Sequence, residues 1–323
     1  MNESLKKSII FWLTPVVFLS LWYFKEVIIP FLVGLIIGSA IQSLAFYLSY
    51  RLKINYYLGV ALIYLCFIFL IVITFYFTIK VLIEELPLLL EKVQPYISTL
   101  KNLNIKPKWA DILSLREYFH NILRFLPDFF SVLSYFFGGF LSLILIFVIS
   151  LYVSLTKNFP EDIFSLFKLK EEYFKIWRLI RRKISFWFLG EIVLMFFIGL
   201  FTYIFFGLIL KVKYSLLISL IAGLLEIIPI LGPITALIMA SIIVYFENPV
   251  YVLPTIIFFT ILQQLENHLL VPLVMKKAIA INPILIILGI LIGAKTGGIL
   301  GIIIIIPILG SLFEILKRYS HEE

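Results

Sequence analysis

One cysteine in 323 residues, and only 14% charged side chains, set the first limits on this chain. A single thiol, Cys66, cannot close an intrachain disulfide, and no Cys/His cluster offers metal ligands. Lying inside an apolar run, Cys66 reads as a small hydrophobe. Soluble domains are about a quarter charged. A chain this poor in charge cannot hide its apolar side chains in one water-soluble core. Catalytic signatures are missing too: there is no GxSxG, no HExxH, no Walker A string and no pair of aspartates in neighbouring apolar segments. The sequence therefore does not read as an enzyme, and no cofactor is expected. Linker-like and low-complexity stretches are also absent.

What the chain has instead is apolar length. Hydrophobic residues make up 62% of it, and the mean hydropathy is +1.10. These side chains need lipid as solvent, which predicts an all-α polytopic membrane protein. The net charge of +8 would suggest nucleic acid as partner in a soluble protein. Here the cations gather at the ends of apolar runs, where they set membrane topology, so no nucleic-acid partner is expected.

A crossing needs roughly 20 mostly apolar residues. Residues 8–24, 27–50, 57–83, 132–156, 186–210 and 250–272 qualify as spans. The opening stretch resembles a signal peptide but lacks a small-residue cleavage site, so it reads as a retained first span. Residues 84–131 carry charges and four prolines, and Leu86, Leu89, Leu90, Val93 and Ile97 recur at helical spacing, which predicts amphipathic helices outside the membrane. Residues 157–185 hold eight lysines and arginines against four acids, while 84–131 balance six against six. The positive-inside rule then puts 157–185, the inner (cell) membrane's cytoplasmic face and both termini on one side. Phe174, Trp177, Ile180, Ile184 and Trp187 share a face opposite the arginines. That suits either a helix lying on the anionic leaflet or a basic helix leading into the next span. The expected organisation is 1–156 as scaffold, 157–185 as a cytoplasmic basic helix, and 186–323 as the transport region.

Two later stretches are interrupted. Pro229, Gly232 and Pro233 cut 214–246 into arms of 214–227 and 234–246, each short of the roughly 17 residues a crossing needs. Proline ends a helix and glycine permits a tight turn, so Ile228–Pro233 reads as the tip of a re-entrant hairpin. Residues 283–313 divide similarly about 293–298, which includes Lys295, Thr296, Gly297 and Gly298. The expected architecture is thus about five to six full spans plus two re-entrant hairpins of inverted orientation. Inverted repeats with broken helices mark secondary transporters, with the site where the helices break. Irregular backbone at membrane depth must be buried in protein or line a wet cavity.

Ionisable groups within spans are costly and point to function. Glu191 lies one turn into the fifth span, Glu226 just before the first tip, and Glu266 and Asn267 in the last third of 250–272. Glu266 and Glu226 either bind a cation or carry a coupling proton, or else form a buried ion pair with Lys295; Glu191 is a further coupling candidate. Gln263 and Gln264 either line a polar path or bond between helices. His268 marks the interface end of its span.

The strings GLLEIIPILGPITALI (223–238), QLENHLLVPLVMKKAIAINP (264–283) and GAKTGGILGIIIIIP (293–307) resemble the autoinducer-2 exporter family. Pro229, Gly232, Pro233, Glu266, Asn267, Pro272, Pro283, Gly298, Gly301 and Pro307 fall on its pattern. Glu191 and Leu273 depart from it, standing where the family often has glutamine and arginine. The resemblance implies export of a small polar, furanone-type signal coupled to a proton or sodium ion, through an elevator-like movement in a homo-oligomer, a pentamer among the candidates. Exchange of sodium for protons is an alternative, and a membrane scaffold without transport is another. The bilayer, a small polar solute and a monovalent cation or proton are the expected partners.

Overall fold

The computed structural model describes residues 23–102, 139–157, 159, 171–274 and 282–320. Most of the expected first span (8–24), much of the 84–131 stretch and Lys276–Lys277 lie outside these. The described chain is helical throughout. Helices α1 (Lys25–Leu52), α2 (Tyr56–Lys80), α3 (Leu86–Asn102), α4 (Phe140–Leu155) and α5 (Glu171–Tyr203) form the first half. They are followed by α6 (Ser215–Leu225), α7 (Leu231–Glu247), α8 (Val252–Leu265), α9 (Val271–Val274) and α10 (Pro283–Ser320).

Among the described residues, five stretches are long and apolar enough to cross a membrane: Lys25–Leu52, Tyr56–Tyr96, Phe174–Ile209, Pro249–Leu273 and Ile284–Phe313. Together with the shorter apolar helices they make this a multi-pass helical membrane protein. Length alone misleads for the last of them, which turns back on itself as described below.

The apolar span expected to end at residue 83 runs on into the charged stretch as helix. A π-helical turn, Val81–Glu85, joins α2 to α3 without interruption, because the prolines that follow are taken up within the helical path. From Glu171 on, the basic stretch and the fifth apolar run likewise form one rod, α5.

The chain divides into two compact units. Met1–Ser43, Phe130–Ser185 and Ile279–Glu323 form one, and Leu44–Phe129 and Phe186–Ala278 the other.

In the first unit, α1 presents Gly34 and Gly38 to α4. A Cβ at Gly38 would lie 2.7 Å from the Ser150 carbonyl oxygen, and one at Gly34 2.9 Å from the Ile149 Cβ. The small-xxx-small spacing lets two backbones meet without a side chain between them. Polar groups then fix the ends. Gln42 donates through Nε2 to the carbonyls of Thr156 and Lys157 at 2.8 and 3.2 Å. Arg181 donates to Gln42 Oε1 and to the Phe159 carbonyl at 2.8 and 2.9 Å. Ser185 donates to the Ser39 carbonyl at 2.9 Å, and Ser43 to Ser185 Oγ at 3.0 Å.

Also in this unit, Asn282 caps α10 by accepting from the Ile284 amide at 2.9 Å, and Pro283 takes the first helical position, where no N–H is needed. The helix breaks at Gly297 (φ −143°, ψ 17°) and Gly298 (φ 59°, ψ −137°). Past this point the chain folds back. A Cβ on Gly293 would lie 2.5 Å from the Gly301 carbonyl oxygen, and Gly289 faces Ile305 and Leu309. In a straight helix, residues 293 and 301 would stand about 12 Å apart. The arms are therefore antiparallel about Gly297–Gly298, and the turn is tighter than the expected 293–298. Thr296 is still helical, its hydroxyl bonded to the Ile292 carbonyl at 2.9 Å.

In the second unit, α6 and α7 form the other hairpin, packed on α5 and α8. Leu194, Ile198, Phe206, Ile218, Ala222, Ala236, Ala240, Val244, Phe259 and Leu262 share its core. Gly223 of α6 presses on the Met195 carbonyl of α5, where an added Cβ would sit 2.8 Å away. The Phe205 and Phe258 rings stack with centroids 4.1 Å apart. Glu85 accepts the Leu217 amide at 2.8 Å and so supplies the cap that α6 lacks in its own sequence.

Candidate carboxyl cluster at the broken helices

The first hairpin turns over residues 226–230, two to three residues earlier than Ile228–Pro233. Gly232 and Pro233 belong to the first turn of α7, where a proline costs no intrahelical bond. At Gly232, any Cβ would overlap the Leu225 carbonyl, so only glycine lets α7 leave the turn. The sharpest bend is at Ile230, with φ 70° and ψ −56°. The Leu231 amide donates back to the Pro229 carbonyl at 2.8 Å. This is a γ-turn of the strained hand, and a β-branched residue in left-handed backbone is a true outlier. Such strain collects at functional turns. Ile230→Gly and Ile230→Ala lose similar apolar contact, but only glycine sheds the backbone penalty of roughly 1–2 kcal/mol. The glycine variant should be the more stable of the two by about 1 kcal/mol, read as unfolding midpoints in detergent.

Directly before this turn, Glu226 is buried to 4% exposure. Glu266 and Glu191 are at 7% and 5%. Three different pieces of backbone supply them. Glu226 comes from the end of α6, and Glu191 from α5. Glu266 opens a π-helical turn, Glu266–Leu270, in which the Val271 amide reaches back to the Glu266 carbonyl. A single-turn π bulge re-aims a side chain and is frequent at functional sites.

The Glu226 and Glu266 carboxyl groups lie within hydrogen-bonding reach of each other. Glu266 also accepts from Gln263 Nε2 at 2.9 Å. Glu191 lies close to Trp187, one turn earlier on α5, and to Glu266. Among the described residues, no lysine or arginine is a bonding partner of the pair. Two carboxyl groups can bond to each other only with a proton between them, because an ionised carboxylate is purely an acceptor. Among the described residues, no group of three or more His, Cys, Asp or Glu is arranged to hold a metal ion.

Of the residues singled out in the sequence, Glu191, Glu226, Gln263 and Glu266 thus meet in one place, with Pro229 in the adjoining turn. Asn267 is on the π turn but exposed. Lys295, Thr296, Gly297 and Gly298 belong to the other unit, where Lys295 is exposed and the two glycines make the bend. Sequence reasoning missed Trp187 as a partner, though its position four residues before Glu191 was a usable signal. It also missed the π turn, which no residue type announces.

A family model described as AI-2E family transporter matches residues 10–321. The chain belongs to this family. Among curated relatives, YueF of Bacillus subtilis (strain 168), named as an inferred transport protein, is 36% identical over 141 residues. That stretch covers 43% of this chain and 37% of YueF. YrrI of the same organism, named likewise, is 32% identical over 29% of this chain and 27% of its own length. The first relatives are thus matched over about a third of their length. The Synechocystis sp. protein sll0060, also named as an inferred transport protein, is 24% identical over 307 residues, 90% of this chain and 87% of its own. For an AI-2E family transporter, buried acids at interrupted helices are where substrate or coupling chemistry is to be sought.

Proposed function

We propose that this transporter is secondary-active and exports a small polar solute in exchange for protons, with the Glu226–Glu266 pair as the proton carrier. The supporting observation is the close approach of two buried carboxyl groups. Two acids this close and this buried favour sharing one proton, which they can lose when the surroundings change, and they sit beside the strained turn that follows α6. Gln263 and Trp187 orient the acids. In this reading the two glycine- and proline-marked hairpins are re-entrant and inverted, and Pro229, Gly232 and Pro233 shape the first tip. In the second, Gly297 and Gly298 free polar backbone for a solute, with Lys295 and Thr296 beside them; Asn267 is a separate solute-binding candidate in its own unit. The N-terminal helices serve as scaffold and the chain from 186 onward carries the solute by an elevator-like movement. The protein works as a homo-oligomer in the inner membrane with both termini cytoplasmic.

The third carboxyl, Glu191, favours one alternative, exchange of a monovalent cation for protons. Both readings are tested in proteoliposomes carrying a pH-sensitive dye. Imposing a gradient of an autoinducer-2-type furanone should move protons if the first holds, and imposing a sodium gradient alone should do so if the second holds. Vesicles silent under both gradients would remove the transport assignment of this pair.

A further inference from the structure

Opposite the buried face of α8, the exposed face changes character along its length. Leu253, Ile256 and Ile257 come first, all exposed. Thr260 follows, its hydroxyl satisfied by the Ile256 carbonyl at 2.7 Å. Beyond it, Gln264, Asn267 and His268 are exposed on the same side. None of these three has a hydrogen-bond partner among the described residues. All lie within the Pro249–Leu273 span. An amide or imidazole facing hydrocarbon with no partner costs several kcal/mol, so lipid is not what covers them.

We infer that Gln264, Asn267 and His268 line a one-sided hydrated inlet, open at the His268 end and closed by Ile256 and Ile257. It runs about 12 Å along the helix from residue 268 to 260. Its inner part reaches the level of Gln263 and Glu266, with Glu266 on the opposite, buried side of the same helix, so water and small solutes from one side of the membrane reach the depth of the carboxyl pair without crossing the whole bilayer. The inference rests on the proposed role of that pair but has a separate readout. The lining has donors and acceptors and no positive charge among Gln264 and Asn267, with Glu266 behind it. It therefore takes water, protons and uncharged or cationic solutes in preference to carboxylates and phosphates. The break in helical register at Glu266–Leu270 fits such a place, since backbone irregularity at membrane depth needs water or protein against it.

The test uses single cysteines at 264, 267 and 257 in a Cys66→Ala background, reconstituted in phospholipid vesicles. They are exposed to two water-soluble methanethiosulfonates, one carrying a trimethylammonium and one a sulfonate. A charged reagent reaches a site without water far more slowly, so Gln264→Cys and Asn267→Cys should react about a hundredfold faster than Ile257→Cys. The cationic reagent should be the faster of the two, and both should act from one face only. Equal, slow reaction at all three positions overturns the inlet. So does disulfide formation between Gln264→Cys in two copies of the chain, which assigns the face to a contact between copies. Faster reaction of the sulfonate overturns the charge preference. Labelling and flux fail independently. A chain that carries protons through the pair yet shows no labelling loses the inlet and keeps the pair. A chain that labels as expected yet moves no protons keeps the inlet and loses the pair.

Discussion

Glu266→Gln is expected to lower proton-coupled flux by about tenfold or more, a barrier increase of at least roughly 1.4 kcal/mol, and to leave the remaining flux insensitive to pH. The amide keeps the shape of the site. It can still accept from Gln263 and can donate to Glu226, so the bond between residues 226 and 266 survives with a permanent donor in place of a shared proton. What disappears is the ability to let that proton go. Glu226→Gln should behave the same way, and the double variant should be no worse than either single one, because the two acids act as one carrier. Glu266→Ala differs in kind. It strands a buried carboxyl and should cost about 1–3 kcal/mol of stability in addition. Flux with a pH dye and unfolding in detergent, measured on the same preparations, separate loss of function from loss of fold. Unchanged, pH-dependent flux in Glu266→Gln would take the coupling role away from the pair.

Gly301→Ala should destabilise the protein although alanine is the better helix former. In a helix the exchange alone gains about 1 kcal/mol. Here the new methyl overlaps the Gly293 carbonyl, and backbone cannot swing aside as a side chain can. Overpacking of this kind costs typically 1–3 kcal/mol and more when the obstacle is rigid. Gly59→Ala provides the opposite case. It too is helical, in α2, but its Cβ would stand 3.5 Å from the nearest atom, the Ala45 carbonyl oxygen, which is ordinary contact. There the propensity gain should prevail. The two variants should therefore shift the unfolding midpoint in opposite directions, at roughly 2–4 °C per kcal/mol for a chain of 150–250 residues and less for a longer one. A stabilised Gly301→Ala would mean that the arms of α10 do not meet at Gly293.

Much of this architecture could be read from residue order, and the exceptions have physical causes. Apolar length located α1, α2 and the span through α8 because hydrocarbon thickness is a hard constraint. The hairpins were legible because prolines and glycines interrupt runs too short to cross. Their turns were misplaced by a few residues: Gly232, Pro233 and Thr296 remain helical, since proline is at home in a first turn and glycine need not break a helix. The bend at Ile230 had no local signal at all, as nothing in an isoleucine asks for positive φ. The π turns shift register by one residue and leave hydropathy unchanged, so the joining of α2 to α3 and the aim of Glu266 were invisible. Glu191, Glu226 and Glu266 stood out singly as acids in apolar surroundings, but their convergence depends on long-range packing. The Gly34/Gly38 contact had its spacing in plain view.

The bonds around Arg181 have a mechanical consequence. Gln42 and Arg181 tie α1, the end of α4 and α5 together at one level, and Ser185 adds a tie to Ser39 one turn along. A slide of α5 by a single residue, about 1.5 Å, would break these bonds together. Axial creep of that helix is thereby blocked, while tilt or roll about the same point disturbs far fewer of them. The cluster acts as a depth stop for α5 against α1 and α4.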